Sequence, residues 1–246
     1  GEVVLLQTVT GGKAEPRPAN LHLFNHAIAY VPALDLYLDG TAEYTPLESL
    51  RWDDQGANAL HIALDGSSSL REIPLSAPED NFTASHTTIQ LNHLGDADFH
   101  EHWVEQGLQV SEIRHAFHDD STRQDDLELN YQGRIPGVRL THVEVTGFED
   151  LRNELVIEVD GQIPSLARSD GVRLRVPVTL FPDELGVNMT PEGEASRRTD
   201  LVLRLPSSAD ISTTVTPPPG MVVVQLPDPV HLDTAHASYH QVATLE

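Results

Sequence analysis

A mostly β, α+β fold is predicted by three features of this sequence. The stretch His26 to Asp39 (HAIAYVPALDLYLD) alternates with period two on either side of Pro32-Ala33, as the arms of a β-hairpin do. From Val138 onward, short strand-like segments are separated by Pro- and Gly-rich turns, the spacing of an antiparallel sandwich. Between them, Ser111 to Asp119 and Thr122 to Tyr131 carry apolar residues at helical intervals. A length of 246 residues suffices for two domains or for one large all-β domain, and 39% hydrophobic residues permit a folded core.

Taken in order, Val3 to Thr8 is a first strand and His26 to Asp39 the hairpin. A reversal about Pro32-Ala33 sets Val31 opposite Leu34, Tyr30 opposite Asp35, Ala29 opposite Leu36, Ile28 opposite Tyr37, Ala27 opposite Leu38 and His26 opposite Asp39. Ala27, Ala29, Val31, Leu34, Leu36 and Leu38 then form one apolar face, and His26, Ile28, Tyr30, Asp35, Tyr37 and Asp39 a mixed one. A slip of one residue destroys that segregation, so the register is well specified. Thr45 to Gly56 is a loop in which Asp53, Asp54 and Gln55 read as a solvated acidic turn, with the lining of a cleft as the alternative. Ala59 to Leu64 is a strand, Gly66-Ser67-Ser68-Ser69 a linker and Arg71 to Pro78 a connector, dividing the chain into residues 1–68 and 69–246.

In the second part, Thr83 to Asn92 and Ala97 to Gly107 are strands joined across Gly95-Asp96. Two helices near 111–131 follow as a short insertion, the first with Ser111 as N-cap and Ile113, Ala116 and Phe117 as its apolar stripe. Leu127 and Tyr131 line the second, which Gly133 and Pro136 end. Strands are then expected at Val138–Thr146, Glu154–Gly161, Val172–Leu180, Leu201–Leu205, Ile211–Val215, Met221–Leu226 and Ala237–Thr244.

The chemistry concentrates at the ends of the hairpin. Opposed side chains in an antiparallel pair have Cβ atoms about 4.5–5.5 Å apart, within reach of a carboxylate–imidazole hydrogen bond. Such a bond fixes the imidazole tautomer and stabilises the imidazolium formed when the other ring nitrogen takes a proton. His26 and Asp39 are therefore candidates for a general base and its orienting carboxylate, although a cross-strand pair of this kind also stabilises a sheet with no chemistry attached. The chain contains no cysteine, and none of its serines lies in a G-x-S-x-G elbow, so the pair lacks an evident nucleophile.

Phe24-Asn25-His26-Ala27 and, with its Asp thirteen residues after the His, Leu38-Asp39-Gly40-Thr41-Ala42 resemble the second half of a transglutaminase-like core, a papain-like fold. The similarity is to bacterial multidomain proteins in which such a core lies between two β-rich domains, and it covers residues 1 to about 70 with specific motifs. The resemblance implies a Cys-His-Asp triad with His26 and Asp39 as its last two members, the Cys sitting on a helix just upstream of Gly1. It implies acyl transfer or amide hydrolysis on a protein or peptide substrate, with no cofactor, in a protein of which this chain is an inactive piece lacking the N-terminal Cys-bearing part. The other function class is a non-catalytic β-rich binding or scaffolding module, extracytoplasmic like the first.

Charge narrows the partners. A formal net charge of −23, with Lys13 the one lysine against fourteen arginines, repels phosphate backbones and argues against nucleic acid and anionic membranes. No apolar run of 18 residues predicts membrane insertion. A periplasmic or extracellular setting is expected, with the cytoplasm as alternative. The absence of cysteine excludes disulfides and thiolate metal sites within the segment. Among thirteen histidines, His100 with His102 and His115 with His118 have chelating intervals, but neither pair has HExxH order, and Asp119, Asp120, Asp125 and Asp126 lack the order of an EF-hand, so no metal site is assigned. The sequons at Asn81 and Asn188 are chance matches in a bacterial-type sequence.

Overall fold

The computed structural model describes residues 1–9, 20–177 and 205–245. Lys13, the Asn188 sequon, residues 178–180 and all but the last residue of the strand expected at Leu201–Leu205 lie outside the described residues. The fold is mostly β and of the α+β class, as the alternation patterns require.

The first sheet has the order β3-β2-β1-β4-β5 and is antiparallel throughout. Its strands are β1 (Glu2–Leu6), β2 (His26–Val31), β3 (Leu36–Leu38), β4 (Asn58–Ala63) and β5 (Ser68–Glu72). Register brings Val4 between Ile28 and His61, and Leu6 between His26 and Ala59, so these side chains share one face. That face packs Val4, Leu6, Ile28, Tyr30 and Ala59 against Leu50, Ala57 and Ile73 from the flanking loops. The mixed face of the hairpin is thus the buried one. The opposite face carries Val3, Leu5, Ala27, Ala29, Leu38, Leu60, Ile62 and Leu70, with Val3, Ala27, Ala29 and Leu70 exposed.

The hairpin register differs from the expected one by two residues: Ala29 pairs with Leu38, Tyr30 with Tyr37 and Val31 with Leu36. Pro32 is the reason. Two-residue hairpin turns need positive φ at their first central position, and proline is fixed near −65°. The reversal instead spans Pro32 to Asp35, closed by Leu34 N–H donating to Val31 O and completed by Asp35 at φ 50°. A shift of two preserves which residues share a face, so His26 and Asp39 stay together. Gly66 to Ser69, expected as a linker, is the turn and opening of β5, and the first sheet runs on to Glu72.

The second sheet has the order β12-β6-β7-β9-β8, from β6 (Phe82–Leu91), β7 (Ala97–Gln106), β8 (Arg139–Thr146), β9 (Leu155–Ile163) and β12 (Ser208–Thr216). β12 joins in parallel beside β6, and the other pairs are antiparallel. The layer over its core face comes from α1 (Gln109–Ala116) and α2 (Arg123–Arg134), with Leu174 of the small β10–β11 pair (Arg168–Ser169, Leu174–Arg175) at the margin. Phe99, Leu127, Tyr131, Val138, Leu155, Ile157 and Val159 centre this core. Gly161 is fixed by it, because a Cβ there would meet the Phe99 ring at 2.5 Å. A last hairpin pairs β13 (Val230–Asp233) with β14 (Ser238–Gln241), while Met221 to Leu226 forms no strand.

Helix α1 begins earlier than expected: Leu108 precedes it, and Ser111 lies inside, its Oγ accepting from Thr45 Oγ1 at 3.2 Å. Its buried residues are Val110 and Arg114, with Ile113 and Phe117 partly covered and Ala116 exposed. α2 buries Leu127 and Tyr131 as expected and runs past Gly133 to Arg134.

Two acids lie within the second core. Glu101 accepts from Ser85 Oγ and Tyr131 Oη, and Glu105 accepts from Thr83 Oγ1 at 2.8 Å and Trp103 Nε1 at 2.9 Å. Burial pushes the Glu105 carboxyl up to about 7, against the pull of those two donors. A carboxyl that keeps its proton longer when folded stabilises the fold below its unfolded pKa, and that contribution is lost as pH rises through about 7. Gln in its place can accept from Trp103 and donate to Thr83. We therefore expect Glu105→Gln to flatten the loss of stability between pH 5 and 8 by about 1–3 kcal/mol, measured by urea unfolding across that range.

Among the described residues, no helix is long and apolar enough to cross a membrane.

Candidate functional site

His26 is placed by the residue before it. Asn25 Oδ1 accepts from the Thr8 backbone N–H at 2.9 Å, its Nδ2 donates to Thr8 Oγ1 at 3.1 Å, and its own N–H donates to Leu6 O at 3.0 Å. These bonds tie the start of β2 to the end of β1, opposite Leu6, and leave the His26 side chain only 14% exposed. Upstream, the 3₁₀ turn Leu21–Leu23 is capped by Asn20, whose Oδ1 accepts from His22 N–H.

Asp39 closes β3 in a tight turn set by Gly40-Thr41. Its Oδ1 accepts from both the Thr41 N–H at 2.9 Å and Thr41 Oγ1 at 2.8 Å, which immobilises the carboxylate. Its Oδ2 lies 3.1 Å from His26 Nε2, so the structure brings the two expected site residues together. Burial works to raise the Asp39 carboxyl, but the Thr41 hydrogen bonds and His26 outweigh it and hold it below the usual range.

The third member is Asp54. Asp53, Asp54 and Gln55, expected as a solvated turn, are all buried, and Asp54 is 0% exposed. Long-range ties pull this loop inward: Val9 N–H donates to Asp53 O, Gly56 N–H to Ile73 O, Gln55 Nε2 to Leu50 O, and Ser76 N–H to Gln55 Oε1. Asp54 Oδ2 thereby reaches 3.7 Å from His26 Nε2. Neither contact of Nε2 is aligned as a hydrogen bond; Nε2, Asp39 Oδ2 and both Asp54 oxygens are buried without one. The imidazole nitrogen is bracketed by two carboxylates and bonded linearly to neither. Nearby, Arg51 holds Asp53 through two contacts of 3.0 and 2.8 Å.

On the same sheet face runs a second polar chain that sequence inspection did not single out. His61 Nδ1 meets Glu2 Oε2 at 2.9 Å and His61 Nε2 meets Tyr37 Oη at 3.2 Å. Tyr30 Oη donates to Asp35 at 2.6 Å, and that bond, with burial, pushes the Tyr30 phenol up to about 12. The signal was in β4, where alternation puts His61 with Ala59 on the core side.

Two groups of side chains place three donor atoms within 4.8 Å of one another among the described residues: His26, Asp39 and Asp54, and the exposed trio His231, Asp233 and His240 on the last hairpin. The first is the buried site described above. The second could hold a divalent cation at the surface. His100 and His102 share the open face of the second sheet, where Glu158 and Asp160 pair with them. His115 faces Glu43 at 3.7 Å, and His118 meets the His115 carbonyl at 2.9 Å.

Compared with protein-family models, with curated proteins and with solved structures, the chain matches none of them.

Proposed function

We propose that this chain is the base-and-carboxylate half of a transglutaminase-like acyl-transfer site whose thiol comes from a segment outside the 246 residues. The observation that carries it is the His26–Asp39 contact of 3.1 Å, anchored on one side by Asn25 and on the other by Thr41. With Nε2 turned to Asp39, Nδ1 is the nitrogen left to take the thiol proton. The thiolate then attacks a glutamine or peptide carbonyl carbon, His26 returns the proton to the departing amine, and an acyl-enzyme remains. An amine or water, deprotonated by the same nitrogen, releases the acyl group as a cross-link or an acid. The open aliphatic face of the first sheet, with Val3 54% exposed, supports the view that another element completes this core.

Ammonia release from a glutaminyl peptide tests the reading. The chain alone is expected to give none, and a chain extended upstream through a cysteine-bearing helix is expected to turn over and to be blocked by iodoacetamide. Turnover by the 246-residue chain that His26→Ala removes, or an inert extended chain, overturns it.

A further inference from the structure

We propose that Asp54 is a positioning residue for His26, a second buried carboxylate that shares the Nε2 proton with Asp39 and couples the base to a further proton site. Its catalytic meaning rests on the acyl-transfer reading above; its physical content does not. Asp54 is 0% exposed, and among the described residues neither of its oxygens has a hydrogen-bond donor. A buried carboxylate in that condition is costly, and the groups around it decide its charge. His26 faces it from β2, Asp39 from the end of β3, and Asp53 and Arg51 from its own loop. Arg51 is held by Asp53 in a two-point contact, and among the described residues His26 is the other basic group that acts on Asp54.

The two neighbours make opposite demands. Asp39 is fixed by Thr41 and stays ionised, which disfavours a second negative charge beside it. A proton on Nε2 at 3.1 Å from one carboxylate and 3.7 Å from the other favours that charge. Burial, helped by Asp39 and Asp53, pushes the Asp54 carboxyl up to about 7 despite His26 and Arg51. At 3.7 Å and out of water, the charge of Asp54 and the charge of His26 therefore depend on one another. With Asp54 protonated, the imidazole faces one carboxylate. Once Asp54 ionises, two carboxylates hold it.

The test is a titration of the 246-residue chain, followed by the carboxyl ¹³C shift of Asp54 and the ring resonances of His26. The Asp54 carboxyl is expected to titrate near neutrality, and the His26 curve to be broader than a single ionisation. In Asp54→Asn the His26 curve is expected to sharpen to one step and move down by about one pH unit. Asp54→Glu restores the broad curve. An Asp54 carboxyl that titrates below pH 5, or a His26 curve that Asp54→Asn leaves in place, overturns the proposal. Should Asp54→Asn fail to fold, the ¹³C titration of the unaltered chain decides alone. Loss of turnover in His26→Ala, read on an enzyme with its thiol, addresses the acyl-transfer reading separately.

Discussion

Replacing His26 by alanine in a chain that carries the thiol segment is expected to lower kcat by about 10⁴- to 10⁶-fold, with KM for a glutaminyl peptide little changed. In the proposed reaction the imidazole performs two transfers, taking the thiol proton and delivering it to the leaving amine, with Asn25 anchoring its backbone and Asp39 beside its ring at 3.1 Å. Asp39→Asn is expected to cost less than His26→Ala but still on the order of 10⁴-fold, since an amide at that position neither stabilises the imidazolium nor dictates its tautomer. Thr41→Val separates orientation from charge: it deletes the 2.8 Å hydroxyl bond to Asp39 Oδ1 and leaves the carboxylate ionised. Its loss should therefore be much smaller than that of Asp39→Asn. Steady-state kinetics on the three variants check the order, and equal losses for Thr41→Val and Asp39→Asn would contradict the assigned role of the carboxylate.

The largest effect on stability is expected far from that site, at Arg114. This guanidinium is 0% exposed; its Nη2 donates to the carbonyls of Gly147 at 2.7 Å, Asp150 at 2.8 Å and Asn153 at 3.1 Å. One side chain of α1 thus satisfies the loop between β8 and β9 from within. Burial lowers the Arg114 pKa, with Asp150 opposing, yet the group stays charged because it begins so high. Arg114→Met fills similar volume and leaves those carbonyls facing hydrocarbon, so we expect a loss of about 3–5 kcal/mol in urea unfolding. Arg114→Lys should recover part of it, because a single ammonium carries three N–H donors for the three carbonyls that Nη2 alone contacts.

Much of this was legible in the alternation of the strands. The faces of His26 to Asp39, the long pair β6 and β7, and the apolar positions of α2 all follow from spacing, because period and burial are local properties there. The depth of Asp54 was not, since DDQG has the composition of a solvated turn and is buried by bonds to Val9, Ile73 and Ser76, partners distant in the chain. β5 escaped notice because Ser68 and Ser69 look like a tether and it lies at a sheet edge, where polar residues are tolerated. The parallel pairing of β12 with β6 joins segments whose first residues, Ser208 and Phe82, lie far apart in the chain, and no periodicity announces such a partner. Arg114 was hidden by its type, as an arginine within a helix face is ordinarily taken for a solvent residue.

The four-residue reversal from Pro32 to Asp35 places a constraint on how this hairpin can change over evolutionary time. Residues added within the reversal lengthen the loop and leave the β2–β3 pairing alone, whereas a slip of one in the pairing itself would send the carboxylate to the side of the sheet opposite the imidazole. Sequences that keep this pair should therefore accept insertions within Pro32 to Asp35 and reject a single-residue insertion between Leu36 and Asp39, which would carry Asp39 to the other face.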